Sequence, residues 1–124
     1  MFDHIKFGVR NFARSRDFYL QALKPIGVTG ITEWPPDGAE IYQPSGGSSL
    51  CLYQTEEQPA HLHIAFVAEN RRQVDDFYRA ALAAGGKDNG PPGIRPQYSG
   101  QYYAAFVLDP DGHNIEVVCH EETD

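Results

Sequence analysis

The chain has 124 residues, an apolar fraction of 41%, a charged fraction of 22% and a formal net charge of −7, which fits one soluble globular domain with a core of its own. The acidic balance excludes nucleic acid as a partner, because a phosphate backbone needs a basic face. No apolar run approaches a membrane span, and no basic-apolar leader suggests export. Cys51 and Cys119 have neither metal-ribbon nor redox spacing, so reduced thiols and a cytoplasmic location are expected.

Residues 2–9 alternate, with Phe2, His4, Lys6 and Gly8 on one side and Ile5, Phe7 and Val9 on the other. That period of two predicts a strand with one apolar face. Ser15, Phe18, Tyr19, Ala22 and Leu23 then recur at helical spacing until Pro25 and Gly27 end the helix. Strands at 28–34 and 39–43 flank the turn Pro35-Pro36-Asp37-Gly38, and a further turn at 45–48 leads into a strand at 50–53. The first unit, about 1–56, therefore reads βαβββ. After Thr55-Glu56-Glu57-Gln58-Pro59 a second unit, about 60–120, repeats it. Leu62, Ile64 and Phe66 face one way, His61, His63 and Ala65 the other. Val74, Phe77, Tyr78, Ala81 and Leu82 form an amphipathic helix, with Asn70 as N-cap, Gln73 at the capping-box position and Gly85-Gly86 as the stop. Residues 89–96 read as a Gly/Pro-rich loop. Strands near 102–108 and at 114–119 flank the turn Asp109-Pro110-Asp111-Gly112, and residues 121–124 are expected to fray.

The two units share more than a pattern. His4-Ile5-Lys6-Phe7-Gly8-Val9-Arg10-Asn11 recurs as His63-Ile64-Ala65-Phe66-Val67-Ala68-Glu69-Asn70, and Asp17-Phe18-Tyr19 recurs as Asp76-Phe77-Tyr78, all at an offset of 59 residues. A fixed offset marks two copies of one supersecondary unit. The repeat puts His4 and His63 at equivalent places on the non-core faces of their strands. In Asn114-Ile115-Glu116-Val117 the apolar residues face the core, so Glu116 faces away with Asn114. Two imidazoles and a carboxylate, brought together around a cavity, suit one divalent ion such as Fe, Mn, Zn, Ni or Co. Each residue also has an ordinary reading, a polar strand histidine or a solvated carboxylate. His61 competes with His63 on the same face, but it has no histidine counterpart at residue 2.

Arg95, Tyr98, Tyr102 and Tyr103 lie in or after the Gly/Pro-rich loop. They would line a cavity mouth, where an arginine suits an anionic group and a tyrosine can donate to a developing oxyanion. A loop pinned by prolines over packed aromatics explains them equally well. His113 follows a tight turn and is expected to be exposed, His120 shares the parity of Glu116, and Trp34 reads as a hairpin or interface aromatic.

The opening Asp3-His4-Ile5, the Asp17-Phe18-Tyr19 helix, His63-Ile64-Ala65-Phe66 and the closing Asp109-Pro110-Asp111-Gly112-His113-Asn114-Ile115-Glu116 together resemble the vicinal oxygen chelate superfamily. Its members include glyoxalase I, fosfomycin-resistance thiol transferases, extradiol dioxygenases and bleomycin-resistance proteins. The resemblance implies an α+β fold of two tandem βαβββ modules forming a cupped mixed sheet, a single glyoxalase-like domain over 1–124. It places His4, His63 and Glu116 on the metal-ligand positions, with Glu116 also a possible base. It further implies a small-molecule substrate and a homodimer in which modules of different chains share a cavity. Arg95, Tyr98, Tyr103 and Cys51 are then candidate substrate contacts. One position departs from glyoxalase I: Cys51 stands where its first module carries a further ligand, the equivalent of Glu116. Isomerisation, lysis, nucleophilic addition and oxygenation all fit such a site. The alternative is a metal-free protein that sequesters a small molecule or drug.

Overall fold

The computed structural model describes residues 1–57 and 60–121. The end of the inter-module segment at 58–59 and the terminal residues 122–124 lie outside the described residues. In chain order the elements are β1 (His4–Val9), α1 (Phe12–Ala22), a single 3-10 turn (Lys24–Ile26), β2 (Gly30–Trp34), β3 (Gly38–Tyr42) and β4 (Ser49–Gln54). The second module follows with β5 (His63–Val67), α2 (Arg71–Ala83), β6 (Lys87–Ile94), β7 (Tyr103–Leu108) and β8 (Asn114–Cys119). Two four-stranded sheets result, ordered β1-β4-β3-β2 and β5-β8-β7-β6. In each, the first strand pairs in parallel with the last, and the remaining pairs are antiparallel. The internal repeat of the sequence is thus a repeat of the fold.

Both helices begin on an asparagine. Asn11 Oδ1 accepts from Arg14 N at 3.1 Å, and Asn70 Oδ1 accepts from Gln73 N at 2.9 Å, satisfying an N–H that has no partner inside the helix. Gln73 returns the contact to Glu69 N at 2.7 Å, one residue earlier than a standard capping box. Phe12, Ser15, Phe18, Tyr19 and Ala22 turn one stripe of α1 inward, and Val74, Phe77 and Ala81 do so on α2. These stripes meet Phe7, Val9, Ile41 and Leu52 of the first sheet and Val107, Ile115 and Val117 of the second in one apolar cluster. Each sheet therefore has a helix-side face and an open face. No described helix is long and apolar enough to cross a membrane.

The strand absent from the sequence reading is β6, which takes up most of the 89–96 segment expected to be a loop. The strand survives Pro91 and Pro92 because it lies at the sheet edge, where missing N–H groups break no second ladder. Its register slips on either side of Gly90, which has φ 149°, so the extra residues are absorbed as bulges.

Candidate metal and substrate site

The candidate site is built on the open face of the second sheet. His63 opens β5, and Glu116 sits in mid-β8, where the register sets Ala65 opposite Glu116 and His63 opposite Asn114. On that diagonal His63 Nε2 lies 2.8 Å from Glu116 Oε1. Glu116 is only 2% exposed, whereas the His63 side chain is half exposed. The other carboxylate oxygen, Oε2, accepts the Tyr102 hydroxyl. The Tyr102 ring stands between Tyr98, 4.8 Å away, and His120, 5.2 Å away and nearly perpendicular. Burial, reinforced by the bond to Glu116, pushes the Tyr102 hydroxyl up to about 12, so near neutral pH it remains a donor.

Beside this pair opens a cavity of about 390 Å³ whose wall carries His63, Asn89, Arg95, Tyr98 and Asn114. Arg95 is held by a bond from its guanidinium to the Pro91 carbonyl at 2.6 Å and lies 5.3 Å from the Phe106 ring centre. Asn89 Nδ2 donates to Asn114 Oδ1 at 3.1 Å. The wall therefore offers a cation and amide groups, while Glu116 and His63 present an oxygen and a nitrogen to one another.

The turn between β7 and β8 places Glu116. Asp109 Oδ1 accepts from Asp111 N at 2.9 Å and from His113 N at 2.8 Å, and Oδ2 accepts the buried Tyr19 hydroxyl from α1. Gly112 closes the turn at φ 88°, with its N–H on the Asp109 carbonyl at 3.0 Å, a conformation that favours glycine. His113 Nδ1 then accepts from Leu62 N at 2.9 Å, and Asn114 N donates to the Leu62 carbonyl at 2.8 Å. These bonds fasten the start of β5 to the start of β8 and so fix the diagonal on which His63 meets Glu116. His113 is fully buried, contrary to the expected exposure, because the backbone of Leu62 needs an acceptor there.

The structure brings together His63 and Glu116, with Arg95 and Tyr98 at the rim, but not the other predicted site residues. His4 opens β1 on the first sheet, exposed, with Nδ1 2.6 Å from Asp3 Oδ1. Among the described residues of one chain no three His, Cys, Asp or Glu side chains form a group that could hold a metal. Cys51 lies in β4, 3% exposed, paired with Lys6 on one side and Glu40 on the other. Burial pushes its thiol up, and Glu40 adds to the effect, which disfavours the thiolate a metal would take. His61 faces the turn, with its ring 6.0 Å from that of His113.

Tyr103 corrects the sequence reading by one residue. Its hydroxyl donates to Asp75 of α2 at 2.6 Å, and Arg71 stacks 5.0 Å from the ring centre, so it belongs to the helix side of the sheet. Tyr102, of opposite parity, is the tyrosine at the site. Phe106, which shares that parity, pairs with Glu116 in the register, and this alternation was the signal available. Burial, then the bond to Asp75, pushes Tyr103 up to about 12. A hydroxyl raised in the folded state supports folding below its unfolded value near 10, and that support is lost as pH rises towards 12. Unfolding free energy, measured in urea at pH 8 and pH 11, is expected to fall less steeply with pH in Tyr103→Phe than in the wild type. The difference between the two proteins in the stability lost from pH 8 to pH 11 should come to about 1 kcal/mol in total.

The model of the Glyoxalase/Bleomycin resistance protein/Dioxygenase superfamily matches residues 1–117. The chain is 29% identical over 123 residues to the metallothiol transferase FosB of Shouchella clausii, covering 93% of this chain and 77% of that protein. The structure resembles a glyoxalase/bleomycin resistance protein from Albidiferax ferrireducens, with a TM-score of 0.81, 27% identity and coverage of 95% and 98% of the two chains. It shares its fold with lactoylglutathione lyase from Agrobacterium tumefaciens, with a TM-score of 0.73, 16% identity and coverage of 96% and 92%. The match runs from the first strand into the last, across both modules and through His4, His63 and Glu116, and the chain belongs to the Glyoxalase/Bleomycin resistance protein/Dioxygenase superfamily.

Proposed function

We propose that the protein is a metal-dependent enzyme that takes two oxygens of a small substrate onto a divalent ion. His63 and Glu116 of one chain and His4 of a second copy would be the protein ligands. The observation that carries this reading is the 2.8 Å approach of His63 Nε2 to Oε1 of the buried Glu116, with His63 itself in the wall of an open cavity. An imidazole nitrogen and a carboxylate oxygen already at partner distance fit Fe, Mn, Zn, Ni or Co. His4 occupies the equivalent place on the first sheet, and its own chain leaves it exposed beside Asp3. A two-fold pairing that sets the first sheet of one chain against the second sheet of the other would supply the third ligand.

A bound ion would supply Lewis-acid stabilisation of charge developing on a substrate oxygen. The chain's own side chains do the remaining work. Tyr102 holds Glu116 by Oε2, leaving Oε1 directed at His63. Arg95 and Tyr98 stand where an anionic or hydroxyl group of the substrate would enter, and Cys51 would face the shared cavity from the first sheet. The relative named as a metallothiol transferase favours addition of a thiol nucleophile over isomerisation, lysis or oxygenation.

Subunit mixing tests the shared site. His4→Ala and His63→Ala proteins, each expected to be metal-poor, are unfolded together and refolded with zinc. Half of the resulting dimers combine the two variants, and each of these has one intact site, so metal content should recover to about a quarter of wild type. No recovery would sink the shared site. No metal in the wild type itself would favour the metal-free binding protein.

A further inference from the structure

The open face of the first sheet is tiled with aromatic rings that cover its glycines. A Cβ on Gly30 would stand 2.3 Å from a ring carbon of Tyr42, one on Gly38 would stand 3.2 Å from Trp34, and one on Gly8 would stand 3.2 Å from Tyr53. The register makes each pair cross-strand neighbours. Without side chains beneath them, the rings settle towards the backbone and keep an outer surface free. Trp34 and Tyr53 remain 37% and 43% exposed. Beside them opens a cavity of about 430 Å³ whose wall includes Trp34, Pro35, Pro36, Asp37, Tyr53 and Gln54, with Lys6 outside it across the rings.

Lys6 stands among these rings. Its ammonium lies 5.3 Å from the Trp34 ring centre and 5.6 Å from that of Tyr53. Among the described residues no carboxylate pairs with Lys6. Glu40 lies two strands away in the same cross-strand row, beyond Cys51, and accepts the Ser49 hydroxyl at 2.6 Å instead. The ring faces steady the ammonium electrostatically without neutralising it. The result is a located positive charge, edged by two exposed ring surfaces and short of a counter-ion.

We infer that this face binds a planar aromatic carboxylate, its ring against Trp34 and Tyr53 and its carboxylate on Lys6 Nζ. A planar cation would meet Lys6 as a like charge, and an aliphatic acid would leave the rings without a stacking partner. Lys6 shares its open face with His4 and its cross-strand row with Cys51, so this inference rests on the shared cavity proposed above and names the substrate class it would take, while binding to metal-free protein tests it apart from the metal centre.

Trp34 is the chain's single tryptophan and reports on the site directly. Chelator-treated protein is titrated with benzoate while tryptophan emission is followed, with benzylamine and cyclohexanecarboxylate as controls. Benzoate is expected to give a saturable change and benzylamine none. Cyclohexanecarboxylate should bind about tenfold more weakly, and Lys6→Met should weaken benzoate about tenfold. Lys6→Arg, which keeps the charge, should stay within a few-fold of wild type. A non-saturating response to benzoate, an equal response to benzylamine, or undiminished affinity in Lys6→Met would each overturn the site. Should Lys6→Met fail to fold, the benzoate and benzylamine comparison on wild type decides alone.

Discussion

Glu116→Gln is expected to lower affinity for a divalent ion by about a hundredfold or more while leaving the unfolding temperature unchanged or raised. The two effects have opposite origins. Glu116 is 2% exposed on a sheet face, with one oxygen on His63 and the other on Tyr102. Burying a carboxylate there costs desolvation that a carboxamide of the same shape largely avoids. The carboxamide oxygen can still accept from Tyr102, so the fold loses little, but the anionic ligand is gone. A residue kept only for packing would show the reverse, with stability falling and no metal to lose. Elemental analysis of untagged protein, paired with thermal unfolding in chelator, separates the cases. A Gln variant that retains stoichiometric metal would remove Glu116 from the ligand set. His63→Ala should lose metal to a similar degree and also leave stability little changed, since its side chain is half exposed.

The fold was legible because its repeat is written in residues rather than in composition. The matched His-Ile and Asp-Phe-Tyr segments correspond to β1 with α1 and β5 with α2, and strand parity correctly set Glu116 on the face away from Ile115 and Val117. What stayed hidden depended on register or on contacts between distant segments. Whether Tyr102 or Tyr103 faces the site is a one-residue question that flips every side chain, and it is settled by where β7 pairs with β8. The burial of His113 follows from a backbone N–H 51 residues away, which no local pattern reveals. β6 carries strand-breaking residues and is held by its neighbour β7 rather than by propensity. His4 is the instructive case. The repeat equates it with His63, yet equivalence in two modules does not bring two residues together, and within one chain they stay on separate sheets.

Asp109→Ala is expected to be the most destabilising single change at the site, although Asp109 touches neither His63 nor Glu116. Its carboxylate receives three donors: the Tyr19 hydroxyl and the backbone N–H groups of Asp111 and His113. Alanine leaves all three without a partner. Tyr19 is fully buried, and burial with Asp109 beside it holds its hydroxyl well above the ordinary range, so that O–H has no route to water. At about 1–3 kcal/mol for each buried unsatisfied group, a loss of about 3–5 kcal/mol follows, with the partly exposed Asp111 N–H contributing least. Asp109→Asn keeps Oδ1 for the two backbone groups and should cost about 1–2 kcal/mol. Tyr19→Phe strands only one carboxylate oxygen and should fall between them. The consequence reaches the site through the turn. Without the Asp109 bonds His113 is free to leave Leu62, and β5 loses the anchor that sets His63 beside Glu116. Urea unfolding of the three variants should therefore rank Asp109→Ala below Tyr19→Phe below Asp109→Asn, and zinc affinity at a temperature where all remain folded should follow the same order. If Asp109→Ala unfolds within about 1 kcal/mol of wild type, the turn is not the clamp described.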